Sequence, residues 1–267
     1  MSIPRIVVTG IGASSPIGGT APESWSALLG GASGARTLEY DWVEQYNLPV
    51  TFAAQAAVRP DTVLERPIAK RLDPSSQFAL VAAMEAWADA GSPEVDPERL
   101  GVDFATGIGG LWTLLHAWGT LPEKGPRRVL PIKVPMLIPH AAAGNLSLHF
   151  GARAYARTVA SACASSTESI VNAIEHLRDG LADVVIAGGT ESVIHPVTIA
   201  SFASMQALSK RNDSPETASR PGSIDRDGFV MGEGVGVLIL EAEEHAKARG
   251  AKIYAVVVGG GVTADSY

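Results

Sequence analysis

The chain has one cysteine, Cys163, in the segment Arg157-Thr-Val-Ala-Ser-Ala-Cys163-Ala-Ser-Ser-Thr-Glu-Ser-Ile-Val-Asn-Ala-Ile-Glu-His-Leu-Arg-Asp-Gly180. Strand-forming residues come first and a helical pattern follows, so the thiol falls where strand gives way to helix. Unpaired backbone N–H groups at a helix start carry roughly half a positive charge, which favours the thiolate, the form that attacks electrophilic carbon. Ala160, Ser161, Ala162, Ala164, Ser165 and Ser166 allow a tight turn and leave room for a substrate. By mechanism this resembles a nucleophile elbow and suggests covalent catalysis by the thiol. A competing reading is structural: a lone cysteine is often a small buried hydrophobe, and small neighbours also permit close helix packing.

The elements that position such a thiol follow from the apolar pattern. Short runs rich in Val and Ile recur at Ile6 to Thr9, Val102 to Thr106, Thr158 to Ala160, Val184 to Ala187, Val235 to Leu240 and Tyr254 to Val258. Most are continuous, as in strands covered on both faces. Helical patterns separate several of them, so the fold class is α/β. One helix is predicted from Asp73-Pro74 to Gly91, alanine-rich and buried. A second covers Ser166 to Arg178, with Ile170, Ala173, Ile174 and Leu177 on one face and Gly180 ending it. A third, Glu241 to Arg249, has acids in its first turn and bases in its last. Ser209 to Asp227 reads as a long ordered surface loop. Without repeat, low-complexity tract or linker, residues 1–267 are expected to form one domain.

Of the 267 residues, 46% are hydrophobic and 18% charged, and the net charge is -7. A mean hydropathy of +0.15 suits a well-packed chain that hides surface in an oligomer. The acidic balance argues against a nucleic-acid partner, because phosphate neutralisation needs clustered Lys and Arg. A single cysteine leaves no internal disulfide and no Cys-based zinc site, so no metal is expected and a reducing compartment suits the chain. The amino terminus lacks a signal-peptide pattern, and no apolar run reaches the ~18 to 20 residues of a membrane span. A soluble cytoplasmic protein is expected. Gly10-Ile-Gly12 after a strand invites a dinucleotide-binding reading, but the third glycine is missing and Pro16 interrupts the helix start.

Four further segments carry a resemblance: Asp183-Val-Val-Ile-Ala-Gly-Gly-Thr-Glu191, Leu208-Ser-Lys-Arg-Asn-Asp213, Ala218-Ser-Arg-Pro221 and Asp225-Arg-Asp-Gly-Phe-Val-Met-Gly-Glu-Gly234. With the cysteine segment, Val7-Val-Thr-Gly-Ile-Gly12, Ser15-Pro-Ile-Gly18 and Thr106-Gly-Ile-Gly-Gly110, they resemble the β-ketoacyl-[acyl-carrier-protein] synthase family. The similarity is closest to its elongating type II members in fatty-acid and polyketide synthesis, and it covers essentially the whole chain. The resemblance implies a thiolase-like fold with αβαβα layers, of which this chain is the amino-terminal half.

In that family the cysteine takes an acyl group from a carrier-protein thioester. Malonyl-carrier protein is then decarboxylated, and its carbanion attacks the acyl-cysteine. Cys163 matches the nucleophile, and its own N–H is a candidate oxyanion donor. No cofactor is implied, since phosphopantetheine arrives on the carrier protein. The expected partners are that acyl carrier protein and a second subunit, as a homodimer or a ketosynthase/chain-length-factor heterodimer. The family's two histidines stand in segments resembling N-A-H-G-T-S-T and G-H-T-x-G. None of His116, His140, His149, His176, His195 and His245 stands in either. The chain is therefore expected to accept an acyl group but not to condense efficiently alone.

By the same resemblance, Ile108, Lys133, Thr198 and Phe202 are candidates to gate or line the acyl channel. Lys133 replaces an apolar or small residue, and it either snorkels to solvent or selects a polar or short chain. Ser166 stands where glycine is usual and could crowd the elbow. Arg66, Lys70, Arg71, Lys210 and Arg211 could dock an acidic carrier protein or be ordinary solvated surface. Gln206, where some relatives present arginine, weakens the docking case. A thiolase or a coenzyme-A-dependent initiating enzyme shares fold and nucleophile, but the Asp225 to Gly234 segment favours the elongating synthases. A non-catalytic chain-length-factor-like subunit is the remaining alternative, against which the retained cysteine argues.

Overall fold

The computed structural model describes residues 4–266. In chain order the strands are β1 (Ile6–Ser14), β2 (Arg36–Thr37), β3 (Phe52–Ala53), β4 (Leu100–Ala105), β5 (Tyr155–Arg157), β6 (Val184–Glu191), β7 (Gly234–Ala242) and β8 (Ala255–Val257). The α-helices are α1 (Ala21–Leu29), α2 (Asp41–Gln45), α3 (Arg66–Ala69), α4 (Pro74–Asp89), α5 (Leu111–Lys124), α6 (Lys133–Leu137), α7 (Ala141–Phe150), α8 (Ser165–Arg178), α9 (Pro196–Ser204) and α10 (Glu243–Ala248). The α/β class expected from the sequence is thus the class observed.

Contacts divide the chain into two compact units. One holds the residues up to Ala13, Pro60–Glu191 and the residues from Val235 onward. Its six-stranded sheet has the order β5-β4-β6-β7-β1-β8. β4 runs parallel to β5 and β6, whereas β1 and β8 are antiparallel, so the sheet is mixed. Every residue of β4 is buried, which requires cover on both faces. α8 supplies one cover: Ala173, Ile174 and Leu177 pack with Ile6, Val8, Val185, Ala187 and Leu240, and Ile170 joins from the edge. That is the face its 3.6-residue period predicts.

α4 supplies the other cover, starting as the sequence predicts. Asp73 caps it by accepting from Ser75 N at 3.0 Å, and Pro74 occupies the first helical position. Its backbone lies against β1 so closely that a methyl group on Gly10 would stand 2.2 Å from the carbonyl oxygen of Ala86. The same group on Gly12 would stand 2.0 Å from that of Ala82. These glycines serve helix-on-strand packing, and the space a dinucleotide phosphate would need is filled by α4.

Two sequence expectations shift in this unit. The strand expected over Thr158 to Ala160 lies at Tyr155–Arg157 instead. Its position is fixed by side chains: Tyr155 Oη donates to Asp103 Oδ2 at 2.9 Å, and Arg157 meets His176 Nε2 at 2.5 Å. The carboxy-terminal helix begins at Glu243 rather than Glu241, because Glu241 is a fully buried residue of β7. Its carboxylate accepts from Thr9 Oγ1 at 2.5 Å and Arg249 Nε at 3.0 Å, and pairs with His245 Nδ1 at 2.8 Å.

The second unit comprises Ser14–Arg59 and Ser192–Gly234. In it β2 and β3 pair antiparallel, with Arg36 opposite Ala53. Ala54 N donates to the carbonyl of Met231 at 2.8 Å, and Glu233 N donates to that of Ala54 at 3.1 Å. The Glu233 carboxylate accepts from Ser192 Oγ at 3.0 Å and from Ala56 N at 3.2 Å. The segment from Ser209 to Asp227 is an ordered loop, as expected, with one 3-10 turn at Pro215–Thr217.

Candidate active site

Cys163 is exposed, in a single 3-10 turn, Ala162–Ala164, that leads directly into α8. A fully buried, inert thiol is therefore not what the fold makes of this residue. The chain reaches the turn by leaving the sheet after Arg157, its last tie being Thr106 N to the carbonyl of Val159 at 3.3 Å. It then makes a left-handed step at Ala162, φ 53°, a conformation that costs a non-glycine residue roughly 1 to 2 kcal/mol. Ser165, the first residue of α8, compensates: Oγ accepts from Ser161 N at 2.9 Å and donates to the carbonyl of Ala162 at 2.6 Å. The thiol is thus presented from a strained turn locked by a buried hydroxyl.

Ser166 does not crowd this elbow. Its Oγ lies where a methyl group on Gly189 would stand, 2.1 Å away. The missing side chain on β6 makes the room that glycine at 166 would otherwise provide.

The loop after β4 closes the other side of the turn. A methyl group on Gly107 would stand 2.7 Å from Glu191 Oε2 and 3.7 Å from the carbonyl oxygen of Ala162. The loop therefore runs beside the residue preceding the cysteine and next to a carboxylate at the end of β6. Ile108 is its exposed member, at 46%. Glu191 accepts from Gly107 N at 2.7 Å and from Thr106 Oγ1 at 3.2 Å. Burial pushes the Glu191 carboxyl up, and the hydrogen bonds from Gly107, Thr106 and Ile108 pull it only partly back.

The other candidates occupy varied settings. Lys133, partly exposed, begins α6 in the same unit as Cys163. Arg66, Lys70 and Arg71 are exposed along α3 and the turn after it, a compact basic group. Thr198 and Phe202 lie on α9 of the second unit. The Thr198 hydroxyl is buried, donating to the carbonyls of Val193 at 2.5 Å and His195 at 2.8 Å, so it serves the helix start. Phe202 meets Phe229 edge to face, centroids 5.5 Å apart. Lys210 is exposed, whereas Arg211 pairs with Asp225 at 3.2 Å and Asp227 at 3.5 Å. Those pairs commit the Arg211 charge largely to its own loop. The Arg-Asp-Gly-Phe segment thereby acquires a local role, as Asp225 also binds Arg220 at 2.5 Å.

Two histidines contact strand carboxylates. His176 Nδ1 lies 2.9 Å from Asp103 Oδ2, and His245 Nδ1 lies 2.8 Å from Glu241 Oε2. Burial pushes Asp103 up, and its bond to His176 opposes that rise. Among the described residues, no group of three or more His, Cys, Asp or Glu side chains is placed to hold a metal ion. No helix among them is long and apolar enough to cross a membrane.

Sequence reasoning found Cys163 but missed Ser165 and Glu191 as parts of its support. In the sequence Ser165 is one of several small residues and Glu191 is the end of a motif. Their acceptors and donors become neighbours only after the turn and the β4 loop have formed.

Comparison with known proteins agrees with this geometry. The family model described as "Beta-ketoacyl synthase, N-terminal domain" matches residues 4–246. The 3-oxoacyl-[acyl-carrier-protein] synthase 2 of Vibrio cholerae serotype O1 is 42% identical over 271 residues, covering 100% of this chain and 65% of that relative. The protein of the same name from Staphylococcus aureus is 43% identical, with 98% and 64% covered. The chain thus spans just under two thirds of the length of these relatives. Among solved structures, a β-ketoacyl synthase from Burkholderia phymatum matches with a TM-score of 0.84 at 32% identity, over 96% of this chain and 63% of that one. A type II PKS acyl-carrier protein in complex with its ketosynthase bound to the hexaketide (AntDE:AntF) matches with a TM-score of 0.85 at 33% identity, over 97% and 62%. The fold is accordingly the thiolase-like α/β fold of ketosynthases. By the agreement of its fold and its sequence with these proteins, the chain belongs to the β-ketoacyl synthase family, whose N-terminal domain it carries.

Proposed function

We propose that this chain is the acyl-accepting half of a 3-oxoacyl-[acyl-carrier-protein] synthase acting in fatty-acid or polyketide chain elongation. The observation that carries the reading is the exposed Cys163 on a strained, hydroxyl-locked turn at the head of α8. The Cys163 thiolate attacks the thioester carbonyl of an acyl group on carrier-protein phosphopantetheine, forming the new C–S bond. The tetrahedral oxyanion collapses, expels the pantetheine thiolate, which takes up a proton, and leaves acyl-Cys163. Backbone N–H groups of the turn, that of Cys163 among them, are the oxyanion donors this reading assigns. Malonyl-carrier protein then loses carbon dioxide, and its carbanion attacks the acyl-cysteine carbonyl. A carbon–carbon bond forms and the thiolate leaves.

Polarising the malonyl thioester needs the histidine pair, and none of the six histidines stands in the family's segments for it. The 267 residues then act as one functional half: they take the acyl group and depend on a further half for condensation. The partners that fit are an acyl carrier protein and a second subunit, identical or of the chain-length-factor kind. No bound cofactor is needed, and cytoplasm is the compartment that suits a free thiol and these partners. Ile108 and Lys133 are assigned to the acyl channel, whereas the Thr198 hydroxyl serves the start of α9 and Phe202 packs on Phe229. Arg66, Lys70, Arg71 and Lys210 are assigned to the carrier protein, with Arg211 shaping the loop that presents Lys210.

Incubation with an acyl carrier protein bearing a labelled acyl thioester tests this. The expected result is a covalent acyl mass on Cys163, absent from Cys163→Ala, with no carbon–carbon bond formed when malonyl-carrier protein is added. No adduct on the wild-type chain, or efficient condensation by it alone, overturns the reading.

A further inference from the structure

We propose that Glu191 is a positioning residue that fixes the Thr106–Gly110 loop, and with it Ile108, against the turn carrying Cys163, so setting which acyl chain lengths reach the thiol. The inference rests on the reading of Cys163 as acyl acceptor and extends it to a residue remote in sequence.

The loop leaves a fully buried strand, and after Thr106 N, which reaches Val159, its next N–H groups need an acceptor outside the sheet. One carboxylate provides it. Gly107 N donates to Glu191 Oε2 at 2.7 Å, the N–H of Ile108 also bonds the carboxylate, and Thr106 Oγ1 donates to Oε1 at 3.2 Å. The Thr106 hydroxyl in turn accepts from Gly109 N at 3.0 Å. Four consecutive residues are thereby tied, directly or through one hydroxyl, to a single side chain.

The far end of the loop is equally constrained. Gly110 N donates to the carbonyl of Leu137 at 3.1 Å. A methyl group on Gly110 would stand 2.4 Å from the carbonyl oxygen of Met136. Gly109 is left-handed, φ 87°, with Pro139 2.9 Å from where its methyl would be. Between these anchors Ile108 is the only side chain from 107 to 110, and it is 46% exposed.

A methyl group on Gly107 would stand 3.7 Å from the carbonyl oxygen of Ala162, the residue immediately before the nucleophile, so the loop runs beside the cysteine turn. Gly107 is thus bonded directly to Glu191 and lies close to that carbonyl. A shift of the carboxylate therefore moves the loop relative to the cysteine turn without changing any atom of the turn itself. The turn keeps its own lock in Ser165.

That separation makes the proposal testable on the 267-residue protein. Rates of Cys163 alkylation are measured for iodoacetamide and for N-alkyl iodoacetamides of increasing chain length, on wild type, Glu191→Ala and Glu191→Gln. For Glu191→Ala the long-chain to iodoacetamide rate ratio is expected to change by about fivefold or more, with the iodoacetamide rate itself within about twofold of wild type. Glu191→Gln keeps an acceptor oxygen for the two backbone N–H groups and is expected to restore most of the wild-type ratio. Thr106→Val, which keeps the carboxylate but removes the link to Gly109, is expected to move the ratio in the same direction as Glu191→Ala by a smaller factor. A ratio unchanged in Glu191→Ala and Thr106→Val overturns the proposal. So does a parallel fall for all reagents, which marks general loss of structure. Failure of wild-type Cys163 to take an acyl group from a carrier protein is a separate result that tells against the parent reading.

Discussion

The Ser165 hydroxyl donates to the carbonyl of Ala162 at 2.6 Å across the turn that holds Cys163. Ser165 is 3% exposed and its oxygen also accepts from Ser161 N. Removing it takes two hydrogen bonds from backbone groups of the exposed residues Ser161 and Ala162, at a cost of about 0.5 to 1.5 kcal/mol. Ser165→Ala is expected to lower stability by that amount in denaturant titration and to slow Cys163 alkylation. Ser165→Thr, which keeps the hydroxyl, should recover part of both.

The left-handed φ at Ala162 makes opposite predictions for two substitutions. Glycine adopts this conformation freely, whereas a β-branched residue resists it. Ala162→Gly is expected to leave stability within about 1 kcal/mol of wild type, as strain relief offsets extra unfolded-state freedom. Ala162→Val should destabilise by about 2 kcal/mol or more and cut the alkylation rate of Cys163. Thermal melts with alkylation kinetics on both variants decide it.

Gly10 and Gly12 admit no side chain, because the α4 backbone occupies the space a methyl group would take. Gly12→Ala is expected to cost about 3 kcal/mol or more, since two backbone segments must separate. A melting temperature equal to wild type contradicts that packing.

Glu241 gives a pH dependence. Burial raises its carboxyl, but hydrogen bonds from Arg249, Thr9 and His245 and the Arg249 charge outweigh that and hold it below the usual carboxylate range. Its folded-state pKa is therefore below the unfolded value of about 4.3, so its contribution is present above that pH and is lost as pH falls through the folded value. Denaturant titrations of wild type and Glu241→Gln are expected to differ most near neutral pH and to converge on acidification. A difference independent of pH from 7 down to about 3 contradicts it.

What the sequence revealed follows the range of the interactions involved. The α8 face of Ile170, Ala173, Ile174 and Leu177 was legible because a period of 3.6 is local information, and the Asp73-Pro74 start of α4 because capping is local too. The placement of β5 was not. It depends on Tyr155 reaching Asp103, 52 residues away, and on Arg157 reaching His176. Glu241 resembled a helix's first-turn acid by composition, and its place as a buried strand residue involves Thr9, 232 residues away, beside the nearer Arg249 and His245. At the site, the cysteine and its small neighbours were readable as chemistry. Glu191 meets its loop across 84 residues, and the Ser165 bonds exist only once Ala162 has taken its left-handed step. The paired Arg211 shows the converse: a basic residue in a list of docking candidates whose charge its own loop largely uses.

The central claim is that the turn at the head of α8 makes Cys163 a reactive acceptor and not merely a small residue. The direct measurement is the second-order rate of iodoacetamide modification at Cys163 in the folded chain against the same chain in denaturant at equal pH. The folded protein is expected to react faster, with the adduct mapped to Cys163. A folded rate equal to or below the denatured one would contradict it.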